Sequence, residues 1–79
     1  MQVRVLFFGA TADETGTRSI ELAVENAAKV GDTLDQLFSK FPKLGGHKLR
    51  FAVNQEYVAP DQVLSDGDEL AVFTAVSGG

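Results

Sequence analysis

A short chain can do chemistry through a nucleophile, an acid–base pair, a metal-ligand cluster or a reactive terminus, and these 79 residues supply few of them. There is no cysteine, which removes thiolate nucleophiles, sulfur ligands for zinc and disulfides together. Any sulfur chemistry must use sulfur that the chain does not encode. The one histidine, His47, stands in a Gly-rich loop with no Cys, Ser or carboxylate at a motif spacing, and reads as a solvated loop residue. Asp66, Asp68 and Glu69 are acidic enough for a hard cation, but the twelve-residue calcium-loop pattern is absent. Turn formation already explains Asp66-Gly67-Asp68, so no metal site is expected. What remains is the end of the chain, Val76-Ser77-Gly78-Gly79. Two closing glycines arise by composition about once in 200 chains at a glycine usage near 7%, so the dipeptide alone decides little. Its position directly after a well-formed strand decides more. Without Cβ atoms, Gly78 and Gly79 can thread a narrow channel and bring a backbone carboxylate close to a phosphate or a nucleophile. A carboxylate is a poor acceptor in acyl transfer, so Gly79 would need activation, for example as a mixed anhydride with AMP.

The rest of the sequence must position that terminus. Val3, Val5 and Phe7 alternate with Arg4, Leu6 and Phe8, and Ile20, Leu22 and Val24 alternate with Glu21, Ala23 and Glu25. Both patterns predict half-buried strands, paired as an antiparallel hairpin across a polar connection from Ala10 to Gly16. Leu34, Leu37, Phe38 and Phe41 fall at i, i+3, i+4 and i+7 on one helix face. Thr33 and Gln36 fit a capping box, Asp35 suits the helix dipole, and Pro42 ends the helix. Lys43 to Lys48 reads as a loop. Leu49, Phe51 and Val53 predict a third strand, Asn54-Gln55-Glu56 a turn, and Tyr57-Val58 a short fourth strand closed by Ala59-Pro60. Asp61 to Leu64 fits one 3₁₀ turn. The last strand, Glu69 to Val76, places Leu70, Val72 and Thr74 on one face and Ala71, Phe73 and Ala75 on the other. The predicted order is β-β-α-β-β-β, an α+β class in which one helix covers one face of a small mixed sheet. The other face carries Leu6, Phe8, Ala71 and Phe73 with Tyr57 nearby, an apolar patch of the kind that binds a partner.

Bulk properties set the frame. One domain is expected over residues 1–79, and a chain this short buries only about 60–65% of the surface its unfolded form exposes. Apolar content of 44% and charged content of 23% fit a globular protein. A net charge of −4 with scattered Lys and Arg argues against a nucleic-acid partner. No apolar run reaches the roughly 18–20 residues of a membrane span, and the N-terminal segment lacks a signal-peptide pattern. The expected location is the cytoplasm.

Val5-Leu6-Phe7-Phe8, Ala52-Val53-Asn54-Gln55 and Leu64-Ser65-Asp66-Gly67-Asp68-Glu69-Leu70-Ala71-Val72-Phe73, leading to Val76-Ser77-Gly78-Gly79, together resemble the small subunit of molybdopterin synthase over essentially the whole chain. The resemblance implies a β-grasp, ubiquitin-like fold ending in a flexible Gly-Gly tail. It also implies a cycle in which an ATP-dependent, E1-like enzyme adenylates Gly79 and a sulfurtransferase system converts it to a thiocarboxylate. The loaded tail then enters the large synthase subunit, in a heterotetramer, and passes sulfur to cyclic pyranopterin monophosphate. On this reading the chain is a sulfur donor and not an enzyme. It holds no permanent cofactor, and the large subunit supplies the catalytic residues. Phe8, Tyr57 and Phe73 correspond to the apolar positions that dock partners. Where many members carry two prolines before the tail, this chain has Thr74-Ala75, which does not pre-set an extended backbone. Three alternatives stay open from the residues: a carrier for thiamine, cysteine or tRNA thiolation, a ubiquitin-like modifier joined to target lysines, and a plain binding module.

Overall fold

The computed structural model describes residues 1–74. The terminal Gly78 and Gly79, and the Ala75-Val76 end assigned to the last strand, lie outside the described residues. Strand β1 (Gln2–Phe7) buries Val3, Val5 and Phe7, and β2 (Ser19–Ala23) buries Leu22 while Val24 is buried just beyond its end. The two pair antiparallel from Gln2↔Ala23 to Leu6↔Ser19, as the alternation requires. Their connection differs from expectation: Ala10–Thr15 is a short helix, α1. Gly9, at φ 56° and ψ −125°, turns the chain out of β1, and Gly16, at φ 72°, ends the helix with its amide donating to the Ala12 carbonyl at 2.9 Å. Glycine reaches these angles without the Cβ clash that other residues meet.

Helix α2 spans Val30–Lys40 and buries Val30, Thr33, Leu34 and Leu37. It starts a turn earlier than the Thr33–Gln36 capping pattern implied. Lys29 precedes it, and the Lys29 amide donates to Asp32 Oδ2 at 3.0 Å, so Asp32 and not Asp35 is the acidic residue of the first turn. Thr33 lies inside the helix, its hydroxyl turned back to the Lys29 carbonyl at 3.3 Å. Lys40 ends α2, and Pro42 opens a 3₁₀ helix, Pro42–Gly46, where a loop was expected. Leu44, buried at its centre, is the apolar contact that holds this turn down. Phe41 meets Phe7 edge to face at 5.8 Å, which brings the fourth position of the predicted helix stripe onto the sheet.

Strand β3 (Leu49–Val53) turns through Asn54 and Gln55 into β4 (Glu56–Tyr57). Both turn residues have positive φ, 50° and 73°, the geometry of a tight two-residue hairpin. β4 therefore begins one residue earlier than read. The segment after it makes no 3₁₀ helix: Gln62 N donates to Ala59 O at 3.1 Å across a Pro60-Asp61 turn, and Val63 bridges to Lys29. Strand β5 is described over Glu69–Thr74, with Leu70 and Val72 buried.

The five strands lie in the order β2-β1-β5-β3-β4, with β1 and β5 parallel and the other pairs antiparallel. Val3, Val5, Leu70, Val72 and Val53 form one apolar cluster with Leu34 and Leu37 of α2, closed by Leu44 and Leu64. A mixed sheet gripping one main helix on a single face is the β-grasp fold. Among the described residues, no helix is long and apolar enough to cross a membrane.

Candidate functional site

Strand register lays out the sheet face that α2 does not cover. Leu6 stands opposite Ala71, Ala71 opposite Ala52, and Ala52 opposite Tyr57, so one apolar row crosses four strands. The next row toward the end of β5 holds Phe73, with Arg50 opposite it on β3 and Phe8 just past the end of β1. Phe8 is 52% exposed and Tyr57 77% exposed. The Tyr57 and Phe73 rings lie 5.9 Å apart at 60°, a tilted aromatic pair. Phe73 is half-buried, as a ring partly covered by its neighbours must be. Between Phe8 and Phe73 a hollow of about 400 Å³ is lined by Phe8, Gly9, Ala71, Phe73 and Thr74, and its surface is almost wholly apolar. The three aromatic residues expected to dock partners are therefore on one face. Thr74, expected on the inner side, also lines this hollow.

Charge is arranged around the patch. Arg4 Nε meets Glu21 Oε1 at 3.1 Å in the row beyond Leu6, an exposed pair that contributes little to stability. Arg50 is exposed beside Phe73. The acidic turn is occupied by local bonds: Asp66 Oδ1 accepts from Gln2 N at 2.8 Å, Asp68 Oδ2 from Ser65 N at 2.7 Å, and Asp68 Oδ1 from Asn54 Nδ2 at 3.0 Å. No group of three His, Cys, Asp or Glu able to hold a metal occurs among the described residues. His47 is not a freely solvated side chain, contrary to the sequence reading. Its Nε2 lies 3.2 Å from Glu14 Oε1, and both side chains are about two-thirds covered, joining α1 to the 3₁₀ helix. Burial of Leu44 pulls this loop against the body, and that is why its histidine is covered.

Sequence reasoning reads Gly9 only as the end of the first strand, not as part of the site, and passes over Thr11. The strand-ending role of Gly9 is legible from its place immediately after the last alternating residue. Nothing in the local sequence marks the burial of Thr11, because beside its local bonds to Phe8 its hydroxyl reaches Val72 O on a strand distant in sequence.

A β-grasp body with an apolar aromatic patch near the end of its last described strand defines a small ubiquitin-like protein. The chain belongs to the ThiS family, whose model matches residues 5–79. It is 44% identical to a molybdopterin synthase sulfur carrier subunit from Mycobacterium tuberculosis, with 100% of this chain and 99% of the relative covered. The human molybdopterin synthase sulfur carrier subunit is 40% identical, with 99% of this chain and 94% of the relative covered. Among solved structures, that of SAMP1 from Haloferax volcanii superposes with a TM-score of 0.86 at 31% identity, covering 100% of both chains.

Proposed function

We propose that this chain is the sulfur carrier of molybdopterin synthesis, a donor subunit that is not itself an enzyme. The observation that carries this reading is the end-to-end likeness to proteins named as molybdopterin synthase sulfur carrier subunits, in a chain that ends in Gly78-Gly79. An E1-like enzyme adenylates Gly79 with ATP, releasing pyrophosphate. The mixed anhydride makes the carbonyl an acceptor with AMP as its leaving group, and a sulfurtransferase system then installs sulfur as a thiocarboxylate. The absence of cysteine supports a terminal thiocarboxylate to the extent that no thiol of the chain can hold the transferable sulfur. Phe8, Tyr57 and Phe73 dock the large subunit while Gly78 and Gly79 reach its active site, where sulfur passes to cyclic pyranopterin monophosphate. Both steps take place in the cytoplasm.

The test is the intact mass of the carrier after expression with its activating enzyme and sulfur source. The expected product is heavier by the exchange of one oxygen for one sulfur, localised to the C-terminus. A variant with one residue added after Gly79 should stay unmodified and keep its fold. Sulfur on the extended variant would refute a role for the terminal carboxylate. A second reading, a protein modifier, is supported by the likeness to a small archaeal modifier protein over 91% of this chain. Isopeptide-linked adducts to lysines in a lysate, without thiocarboxylate, would favour it.

A further inference from the structure

Two polar side chains, Thr11 and Thr33, are fully buried among the described residues. Thr33 is accounted for by its own helix, through the bond back to Lys29 O. Thr11 is different, because its hydroxyl bonds across the sheet. Oγ1 accepts from Phe8 N at 2.9 Å, and its proton faces two carbonyls at 2.8 Å, those of Phe8 and Val72. Phe8 O already accepts from Thr11 N at 3.2 Å and Val72 O from Phe8 N only at 3.4 Å, so Val72 O is the acceptor with more to gain from the hydroxyl. The direct backbone rung from Phe8 N to Val72 O is stretched to 3.4 Å, longer than an ordinary N–H···O bond. The parallel register of β1 and β5 ends at Phe7↔Val72, one residue before both aromatic positions. The threonine hydroxyl therefore takes the place of the next rung, relaying Phe8 N to Val72 O where the ladder opens.

We propose that Thr11 is a positioning residue of the docking face, a clasp that fixes Phe8 and Phe73 at the spacing that forms the apolar hollow between them. Val72 is bonded directly to Phe73 in the chain, and Phe8 is held through its own amide, so the hydroxyl governs both walls of that hollow. The proposal rests on the reading of Phe8 and Phe73 as docking residues. Its hydrogen-bond content stands on the free chain alone. Burial matters here, because a hydroxyl shielded from water has no solvent to exchange partners with, and its loss leaves Phe8 N and Val72 O poorly paired.

Thr11→Val keeps the side-chain shape and removes the hydroxyl, whereas Thr11→Ser keeps the hydroxyl and removes the methyl. Two quantities are measured for each full-length variant: amide exchange at Phe8 and Leu37 in the free carrier, and calorimetric affinity for the large subunit of molybdopterin synthase. Thr11→Val should speed exchange at Phe8 by about tenfold or more while Leu37 keeps its wild-type protection. Its Kd should rise roughly tenfold, and Thr11→Ser should restore both values to within about twofold of wild type. Phe73→Ala serves as the control for docking itself. If Phe73→Ala weakens binding but Thr11→Val does not, the clasp is wrong and the docking face stands. If Thr11→Ser is as damaging as Thr11→Val, or Leu37 exchange rises in step with Phe8, the threonine is only packing and the proposal falls. If Thr11→Val does not fold, Thr11→Ser decides, since a clasp requires it to fold and bind as wild type does. Wild-type carrier that fails to bind the large subunit overturns the functional reading, and the exchange measurement then decides the clasp by itself.

Discussion

Gly9 occupies a backbone region, φ 56° with ψ −125°, that side-chain-bearing residues avoid because their Cβ meets their own backbone. A Cβ built there finds no other atom within 4 Å, so a substitution is opposed by the backbone alone and not by crowding. Gly9→Ala should therefore lose about 1–3 kcal/mol in a urea melt, with no cavity or clash to add to it. An unchanged midpoint would mean that the chain leaves β1 by another path. The same residue follows Phe8 just past the end of β1 and lines the hollow, so strain there should also disturb docking. Gly9 thus links a backbone requirement to the apolar hollow. His47 differs from Gly9 in this respect. Its pairing with Glu14 joins two elements, yet it lines no hollow beside the aromatic patch.

At the scale of elements, α2 gives the sheet its cover, and Leu37 is one of its residues with no exposed surface. Leu37→Ala should lower stability by about 2–5 kcal/mol, through lost transfer energy and the cavity left behind. In a domain of this size that is a large share of the total, and a thermal melt should show it plainly. A melt matching wild type would contradict the packing of α2 on β1 and β5. Phe38 is half-buried and should be more tolerant, although it lies on the same predicted stripe. That stripe, and the alternation of β1, β2 and β5, were legible because burial repeats with the period of the element. The start of α2 was not legible, for a physical reason. Gly31 stands in its first turn and argues locally against helix. Yet Val30 N donates to Gln62 O and Gly31 N to Pro60 O, each at 2.9 Å, so a distant segment caps the helix. The Gly31 Cβ position lies 3.4 Å from Pro60 O, which explains why a small residue suits the contact. The segment read as a 3₁₀ turn is that cap. Helix α1 escaped for a related reason: six residues are fewer than two turns, too few to establish a helical period. Its fixtures are two terminal glycines and the cross-sheet bonds of Thr11. Of the candidate site, the aromatic face followed from alternation, while the hydroxyl beneath it did not.

For the molecule as a whole, the parallel pairing of β1 with β5 decides where the aromatic face lies. Both strands run toward the same end of the sheet, so Phe8 and Phe73 arrive together where the chain continues toward Gly79. The antiparallel β3–β5 pair and the β3–β4 hairpin then bring Tyr57 within 5.9 Å of Phe73. The aromatic face is thereby set by topology at the end of the sheet toward which β1 and β5 run, with α2 on the opposite side of the sheet. Phe73→Ala should weaken binding to the large subunit by about 1–3 kcal/mol, the usual range for an aromatic anchor. Tyr57→Ala should act similarly, and because Tyr57 is 77% exposed its stability loss should stay within about 0.5 kcal/mol. Phe73→Ala should be somewhat more destabilising, since that ring is partly covered. The distinction from chemistry lies in concentration dependence. With Gly78 and Gly79 intact, sulfur transfer by either variant should be slow at low carrier concentration and approach the wild-type rate as the concentration rises. A rate that stays depressed at saturation would place these rings in the transfer step and not in docking. A collapsed melt with unchanged affinity would place Phe73 in the core, and the register Arg50↔Phe73 would then be wrong by one residue.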